Sequence, residues 1–362
     1  MLSWEMALDN YPPKLNLLEK LDLIPAYLSL IAAAIYAATT GAFRGEWGAK
    51  SYSKHIKYAV IRQMFSRFSM RQSQSLNPPN SCTYEAFAKR NGFAPLTVKL
   101  AHGASGHWFG NENAENVLLY FHGGGFAMPA NPAHLYFVTD IMDNLNDAGK
   151  DIAIFFLTYT FTPQAVYPTQ LKQAVEGLRY LIQETGRSPS NVIIGGDSAG
   201  GNLTLAVLSH ISHTHKAIEP LDISGPLAGV FLISPWVSFS QSFPSVMTNM
   251  YKDIITSASA VSCSRAYLAD QGEDNYNQPH LAPAEWWNGI KASSVLILAG
   301  SDEILITCID EFVEKFKMAV PNTSYFVGHD EPHTAPIVYR LLNDAQESRQ
   351  GKELRSWLAS LL

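Results

Sequence analysis

Two glycine-rich loops, each entered directly from an apolar run, constrain what this chain can fold into more than any other feature. His122-Gly-Gly-Gly-Phe126 follows Val117–Phe121. Gly196-Asp-Ser-Ala-Gly200 follows Val192–Ile194 and runs into Leu203–Ile211, which is apolar at helical spacing. A short apolar run closed by glycines reads as a strand buried on both faces. A strand that turns into a helix through Gly-x-Ser-x-Gly has to fold back very tightly. Small residues on either side then leave the serine side chain standing above the sheet edge. Two such turns, each at the C-terminal end of a strand, call for a parallel sheet with chemistry along one edge.

The rest of the chain from about residue 115 alternates in the same way. Strand-like runs occur at Ile152–Tyr159, Gly229–Ile233, Val295–Leu298 and Ser324–Val327. Helical spacing occurs over Thr169–Thr185, closed by Gly186, and over Ile304–Met318. Strands alternating with helices give an α/β chain with a mostly parallel sheet covered on both faces. Residues 239–290 interrupt the alternation and read as an insertion over the sheet. The expected organisation is an N-terminal helical segment, 1–110, and an α/β domain, 111–362.

The residue types set the chemistry. Serine-mediated acyl transfer builds a tetrahedral oxyanion, which needs backbone N–H groups unobstructed by side chains. Gly124, Gly125 and Ala199 are the candidate donors, and Ser198 is the candidate nucleophile. His122 reads as a residue that holds its loop by hydrogen bonds. A serine needs a base, and the base needs an acid, in the chain order Ser, acid, His. Asp302 and Glu303 end the Val295–Gly300 run. Glu303, three residues after Gly300, is the favoured acid and Asp302 the alternative. Beyond the last strand, His333 has the reach to return over the serine, whereas His329 sits at the strand end. His210, His213 and His215 read as a solvated helix end, with no carboxylate or thiol spaced to make a metal site.

Charge narrows the partners. Only 16% of residues are charged, against about 25% in an ordinary domain, and Lys+Arg 26 against Asp+Glu 32 leaves −6. With no basic cluster, a nucleic-acid partner is excluded from the expectation. Three widely spaced cysteines, Cys82, Cys263 and Cys308, make no Cys-x-x-Cys pair. They lean toward a reducing, intracellular setting, in the cytoplasm or on an internal membrane. Residues 23–43 hold no charge and are long enough to span a bilayer at about 20 residues. They are Ala-rich, however, and contain Pro25, Thr39, Thr40 and Gly41. Three outcomes stay open: a helix packed on the catalytic domain, an interfacial helix, or a spanning anchor.

With both loops and the later acid and histidine in place, the chain resembles the hormone-sensitive-lipase-like branch of the α/β-hydrolase fold over roughly residues 115–340. Tyr167-Pro168, preceded by Phe161-Thr-Pro163, also resembles that branch. A narrower similarity is to fungal esterases grouped with steryl acetyl hydrolases, on Gly195-Gly-Asp-Ser-Ala-Gly-Gly-Asn202, Ile233-Ser-Pro-Trp236, Trp286-Trp287 and His333-Thr-Ala-Pro336. The resemblance implies an eight-stranded, mostly parallel sheet, with 111–362 as the catalytic domain and a helical lid to which the N-terminal segment, 1–110, and the 239–290 insertion contribute. It implies ester hydrolysis or deacetylation of a lipophilic small molecule, without metal or cofactor. Ser198 is then the nucleophile, His333 the general base and acid, and the amides of Gly124, Gly125 and Ala199 the oxyanion hole. Phe126, Trp236 and Trp287 are the expected apolar wall for substrate. One departure is the acid segment, where Glu303-Ile-Leu-Ile-Thr307 stands in place of the family's Asp-Pro-Leu-x-Asp. Two rival functions remain on the same residues: acyl transfer or condensation in a biosynthetic pathway, and a non-catalytic receptor for a small apolar ligand. The oligomeric state stays open, a dimer included.

Overall fold

The computed structural model describes residues 11–362. Its centre is an eight-stranded sheet of order β1-β2-β4-β3-β5-β6-β7-β8. The strands are β1 Leu96–Lys99, β2 Ser105–Phe109, β3 Asn116–Phe121, β4 Ile152–Thr158, β5 Val192–Asp197, β6 Gly229–Ile233, β7 Val295–Gly300 and β8 Thr323–Gly328. From β4 across to β8 all neighbours are parallel. β2 pairs antiparallel with both β1 and β4. The sheet therefore begins at Leu96, inside the segment the sequence assigned to the lid. The β1–β2 pair is short and mixes polar with apolar residues, so the apolar-run criterion that found β3–β7 passes over it.

β3, β5, β6 and β7 are buried throughout apart from Asn116. Such strands need cover on both faces. Helices Thr169–Arg179, Ala199–Ser212 and Ile306–Ala319 pack on one face through Leu171, Leu178, Leu203, Val207, Ile309 and Phe312. Helices Pro132–Asp147 and Arg349–Leu361 pack on the other, through Leu135, Val138, Ile141, Leu354 and Leu358.

Two groups of helices, together termed the cap, contact the loops that leave the C-terminal ends of the strands. Its first part is N-terminal and includes helices Leu17–Thr40, Tyr52–Arg67 and Met70–Leu76; the next helix, Asn80–Asn91, starts beside it and packs Tyr84 and Phe87 against Phe109 of β2. Its second part is the insertion between β6 and β7, which holds helix Ser257–Leu268. The two parts meet the catalytic body directly. Gln74 donates to the carbonyls of Ala127 at 2.7 Å and Thr162 at 2.8 Å. Tyr58 and Ile61 pack with Ile254 and Val338 in a small separate cluster.

Candidate active site

β3 and β5 are adjacent and parallel, with Phe121 opposite Gly196. The two glycine loops therefore leave the sheet side by side. Gly200 shows how tightly they meet: a Cβ built there would fall 1.9 Å from the Phe121 carbonyl oxygen. Only glycine allows that approach.

Ser198 sits at the turn with φ 53° and ψ −116°. A non-glycine residue held there stores about 1–3 kcal/mol of strain, and the surroundings have to hold it in place. They do so from three sides. The Ser198 N–H donates to the Ile233 carbonyl at 2.8 Å, and its carbonyl accepts from the N–H groups of Asn202 and Trp236, both at 3.0 Å. The Ala199 N–H opens the following helix and has no intrahelical acceptor.

Ser198 Oγ lies 2.8 Å from His333 Nε2, and His333 Nδ1 lies 2.9 Å from Glu303 Oε2. Glu303 is fully buried. Its second oxygen accepts from Ser234 Oγ at 3.0 Å and from the Gly300 N–H at 2.5 Å. The carboxylate is thus fixed on two donors before it orients the imidazole. Burial alone would push the His333 imidazole down. The Glu303 hydrogen bond and charge, then the charges of Asp253 and Asp197, more than offset this and hold it above its ordinary value.

The neighbouring candidates stand elsewhere. Asp302 bonds through its side chain to Ser301 Oγ at 3.4 Å, and its N–H donates to the Glu331 carbonyl. His329 is mostly exposed and pairs with Asp330 at 3.0 Å. His210 and His215 are buried, not solvated as the sequence suggested. His210 Nε2 donates to the Glu219 carbonyl, and His210 Nδ1 accepts the His215 N–H, both at 3.1 Å. The chain beyond the helix folds back over that end and removes it from water.

The first glycine loop is braced from below and from the cap. Gly124 and Gly125 adopt φ 106° and 62°, conformations that favour glycine. Among the described residues, neither of their N–H groups donates to a protein acceptor. Asp197 Oδ1 accepts the Gly123 N–H at 2.9 Å and the Tyr120 hydroxyl at 2.6 Å. His122 Nδ1 donates to the Gly123 carbonyl at 2.7 Å, while Nε2 accepts from Asn80 Nδ2 at 2.9 Å. Burial, chiefly, pushes the His122 imidazole down to about 3, so it is neutral and structural. Asn80 Oδ1 also accepts the Ala130 N–H at 2.8 Å. Sequence reasoning missed Asn80, because an asparagine at the start of a helix reads as an ordinary polar cap.

Of the three expected wall residues, two stand beside the loops. Phe126, fully buried, ends the first loop and stacks on Tyr267 with ring centres 3.9 Å apart. Trp236 stacks on Phe126 at 6.3 Å. Trp287 does not join them. It is fully buried against Phe312 and Phe316, at 5.7 and 5.1 Å, beneath the 306–319 helix. Its place in the wall is corrected to a place in the core: a large flat ring suits both settings, and sequence alone does not separate them. Cys263, from the insertion, fills the space over Gly125, with Sγ 2.9 Å from where a Gly125 Cβ would lie.

A family profile described as steryl acetyl hydrolase matches residues 100–344. Steryl acetyl hydrolase 1 of Saccharomyces cerevisiae is 26% identical over 290 residues, covering 74% of this chain and 61% of that protein. An acetyl-hydrolase of Streptomyces hygroscopicus is 31% identical over 191 residues, 52% of this chain and 58% of that one. The chain thus spans about six-tenths of the length of these curated relatives. Among solved structures, a hormone-sensitive lipase from a metagenome library superposes with a TM-score of 0.62 at 23% identity, covering 79% of this chain and 92% of that one. The likeness supports the α/β-hydrolase fold.

Proposed function

The chain belongs to the steryl acetyl hydrolase family, and from that premise we propose that it is a serine esterase that removes an acetyl or other short acyl group from a lipophilic small molecule. The observation that carries the reading is the unbroken hydrogen-bonded line Ser198–His333–Glu303 beside two N–H groups, of Gly124 and Gly125, that have no acceptor among the described residues. His333 Nε2 takes the Ser198 proton as Oγ attacks the ester carbonyl carbon. The carbonyl oxygen becomes an anion held by the amides of Gly124, Gly125 and Ala199. Collapse breaks the bond to the alcohol oxygen, which leaves with the proton from His333. Water, deprotonated by His333, then attacks the acyl-serine and releases the acid. Glu303 holds the imidazole in the required tautomer and faces the positive charge it acquires. Cys263 above Gly125 and the Phe126–Tyr267 stack leave little room behind the oxyanion loop, which favours a small acyl group. Hydrolysis of short aryl esters by the wild-type protein and its loss in Ser198→Ala is the test. A Ser198→Ala variant with full activity overturns the reading.

We further propose that the 17–40 helix lies in the plane of a lipid surface. Its outer side chains are exposed: Ile24 62%, Leu28 60%, Ile31 57% and Ile35 60%, with Phe43 90% just beyond. Each leucine- or isoleucine-sized side chain moved from water into lipid gains about 1.5–3 kcal/mol. The inner side packs along the 52–67 helix from end to end. Asp22 pairs with Arg67, Ser29 Oγ accepts from Gln63 at 3.1 Å, and the Tyr52 hydroxyl donates to the Ala38 carbonyl at 2.5 Å. A helix seated in this way could cross a bilayer only by dragging the charged 52–67 helix with it. The basic residues that follow are engaged by carboxylates of the body or by nearby backbone carbonyls. Lys50 pairs with Asp330 and Lys54 with Asp344, each at 3.0 Å. Arg44 donates to the carbonyls of Gly41, Ala49 and Lys50. Binding to neutral phosphatidylcholine vesicles is therefore expected, with little dependence on salt. Ile24→Glu with Ile31→Glu abolishes flotation with vesicles while aryl-ester hydrolysis persists. Unchanged flotation of that variant contradicts the assignment.

A further inference from the structure

Asp253 lies in the insertion between β6 and β7, outside both motifs, and is fully buried. Its carboxylate is shared between the turns that carry the acid and the base. Oδ1 accepts the His333 N–H at 3.0 Å and the Ile254 N–H at 2.7 Å, and Oδ2 accepts the Ile304 N–H at 2.7 Å. Ile304 immediately follows Glu303, so one carboxylate ties the backbone of the base to the backbone beside the acid. From the cap side, Arg62 Nη1 donates to the Asp253 carbonyl at 2.5 Å. The guanidinium thus reaches the backbone of Asp253, and among the described residues the carboxylate has no salt-bridge partner. A buried carboxylate without a paired cation is costly. Three backbone N–H groups satisfy the two oxygens but leave the buried negative charge to be balanced by cations nearby. The other cation that can form within its reach is the His333 imidazolium.

We propose that Asp253 is a positioning residue that locks the His333 and Glu303 turns together and sets a second anion beside the imidazole as it takes up the Ser198 proton. The proposal rests on the esterase reading above. His333 is faced by Glu303 from the acid turn, Asp253 from the insertion and Asp197 from the serine turn. Asp253 is faced by His333, Glu303, Arg62 and Tyr58. Burial, reinforced by Glu303, pushes the Asp253 carboxyl up to about 6, against the opposing pull of His333 and its backbone donors. The N-terminal cap thereby reaches the catalytic line through one residue, by way of Arg62.

Asp253→Asn tests this in the full chain. The variant removes the charge and sets an amide donor against one of the backbone N–H groups. Expected are a kcat about tenfold lower or more, a KM within about twofold, and an acidic limb of kcat/KM about one pH unit lower. Ser234→Ala is the neutral control. It loses the bonds to Glu303 and the Thr334 N–H without losing charge, so its kcat falls while its limb stays. An Asp253→Asn limb that coincides with the wild-type limb overturns the proposal, because a purely structural tie lowers kcat without moving it. Should Asp253→Asn fail to fold, Arg62→Met carries the test. Arg62 bonds the Asp253 backbone, but its charge lies near enough to offset part of the carboxylate's field; removing it strengthens the negative field at the imidazole and moves the limb upward, and an unmoved limb again overturns the proposal. Ser198→Ala separates the two levels: residual full activity there refutes the esterase reading itself, whatever Asp253→Asn does.

Discussion

Glu303→Gln isolates what the buried carboxylate does for the imidazole. Two donors, Ser234 Oγ at 3.0 Å and the Gly300 N–H at 2.5 Å, converge on Oε1. In the glutamine variant these donors select the amide oxygen for that position, so the fold is retained. The amide nitrogen then occupies the place of Oε2, 2.9 Å from His333 Nδ1. A donor there forces Nδ1 to accept, which moves the imidazole proton to Nε2. Nε2 faces Ser198 Oγ at 2.8 Å and must be unprotonated to take the serine proton. The variant therefore holds the wrong tautomer and has lost the anion facing the imidazolium. Together these cost about 10³- to 10⁴-fold in kcat, or about 4–5 kcal/mol. Steady-state hydrolysis of p-nitrophenyl acetate measures the loss, and circular dichroism checks the fold. Asp302→Asn is the comparison. That side chain reaches only Ser301 Oγ at 3.4 Å, so its kcat stays within about threefold. If Asp302→Asn falls as far as Glu303→Gln, or Glu303→Gln retains a tenth of the activity, the reasoning about the acid is refuted.

Three further outcomes follow from the same geometry. Gly200→Ala places a Cβ 1.9 Å from a backbone oxygen and should destabilise by several kcal/mol. Gly225→Ala, with nothing within 4 Å, should leave the melting temperature unchanged. Catalysis needs neutral His333, whose proton affinity is held above the ordinary 6.5 chiefly by Glu303 against the effect of burial. The acidic limb of kcat/KM should therefore have its midpoint above that value. Folded His333 binds its proton more tightly than the unfolded chain does. Its stabilising contribution is thus fully present below the unfolded pKa and lost as pH rises through the folded one. Activity should rise across the neutral range while this contribution to thermal stability falls, which melting curves read out. Asn80→Ala strands His122 Nε2 and the Ala130 N–H in a buried place. A stability loss of about 1–3 kcal/mol is expected, with a kcat about tenfold lower from a looser oxyanion loop and an unchanged KM.

What the sequence made legible was local chemistry at strand ends. The strands β3 and β5 announce themselves as apolar runs, and the glycines that follow them have few uses other than tight turns and close approach. The order of strands then carries Ser198, Glu303 and His333 to one edge. The choice between Glu303 and Asp302 rested on a single-residue offset from Gly300. The structure explains that offset through the Gly300 N–H, which bonds Glu303 directly. The illegible parts depend on long-range packing. Asp253 is 80 residues from His333 along the chain, in an insertion without periodicity or motif, and nothing near it signals a carboxylate that must be buried. Asn80 and Arg62 act across the cap in the same way. Trp287 and the His210–His215 end were misplaced because exposure is set by what folds over a residue, which neither side-chain type nor neighbours encode.

Covalent trapping tests the central claim most directly. A fluorophosphonate ester should add to the wild-type protein once, with peptide mapping by mass spectrometry placing the adduct on Ser198 and activity lost in proportion to labelling. Ser198→Ala should take up no label. Labelling of Ser198→Ala at the wild-type rate, or an adduct mapped to another residue while activity disappears, would contradict the assignment of Ser198 as the nucleophile.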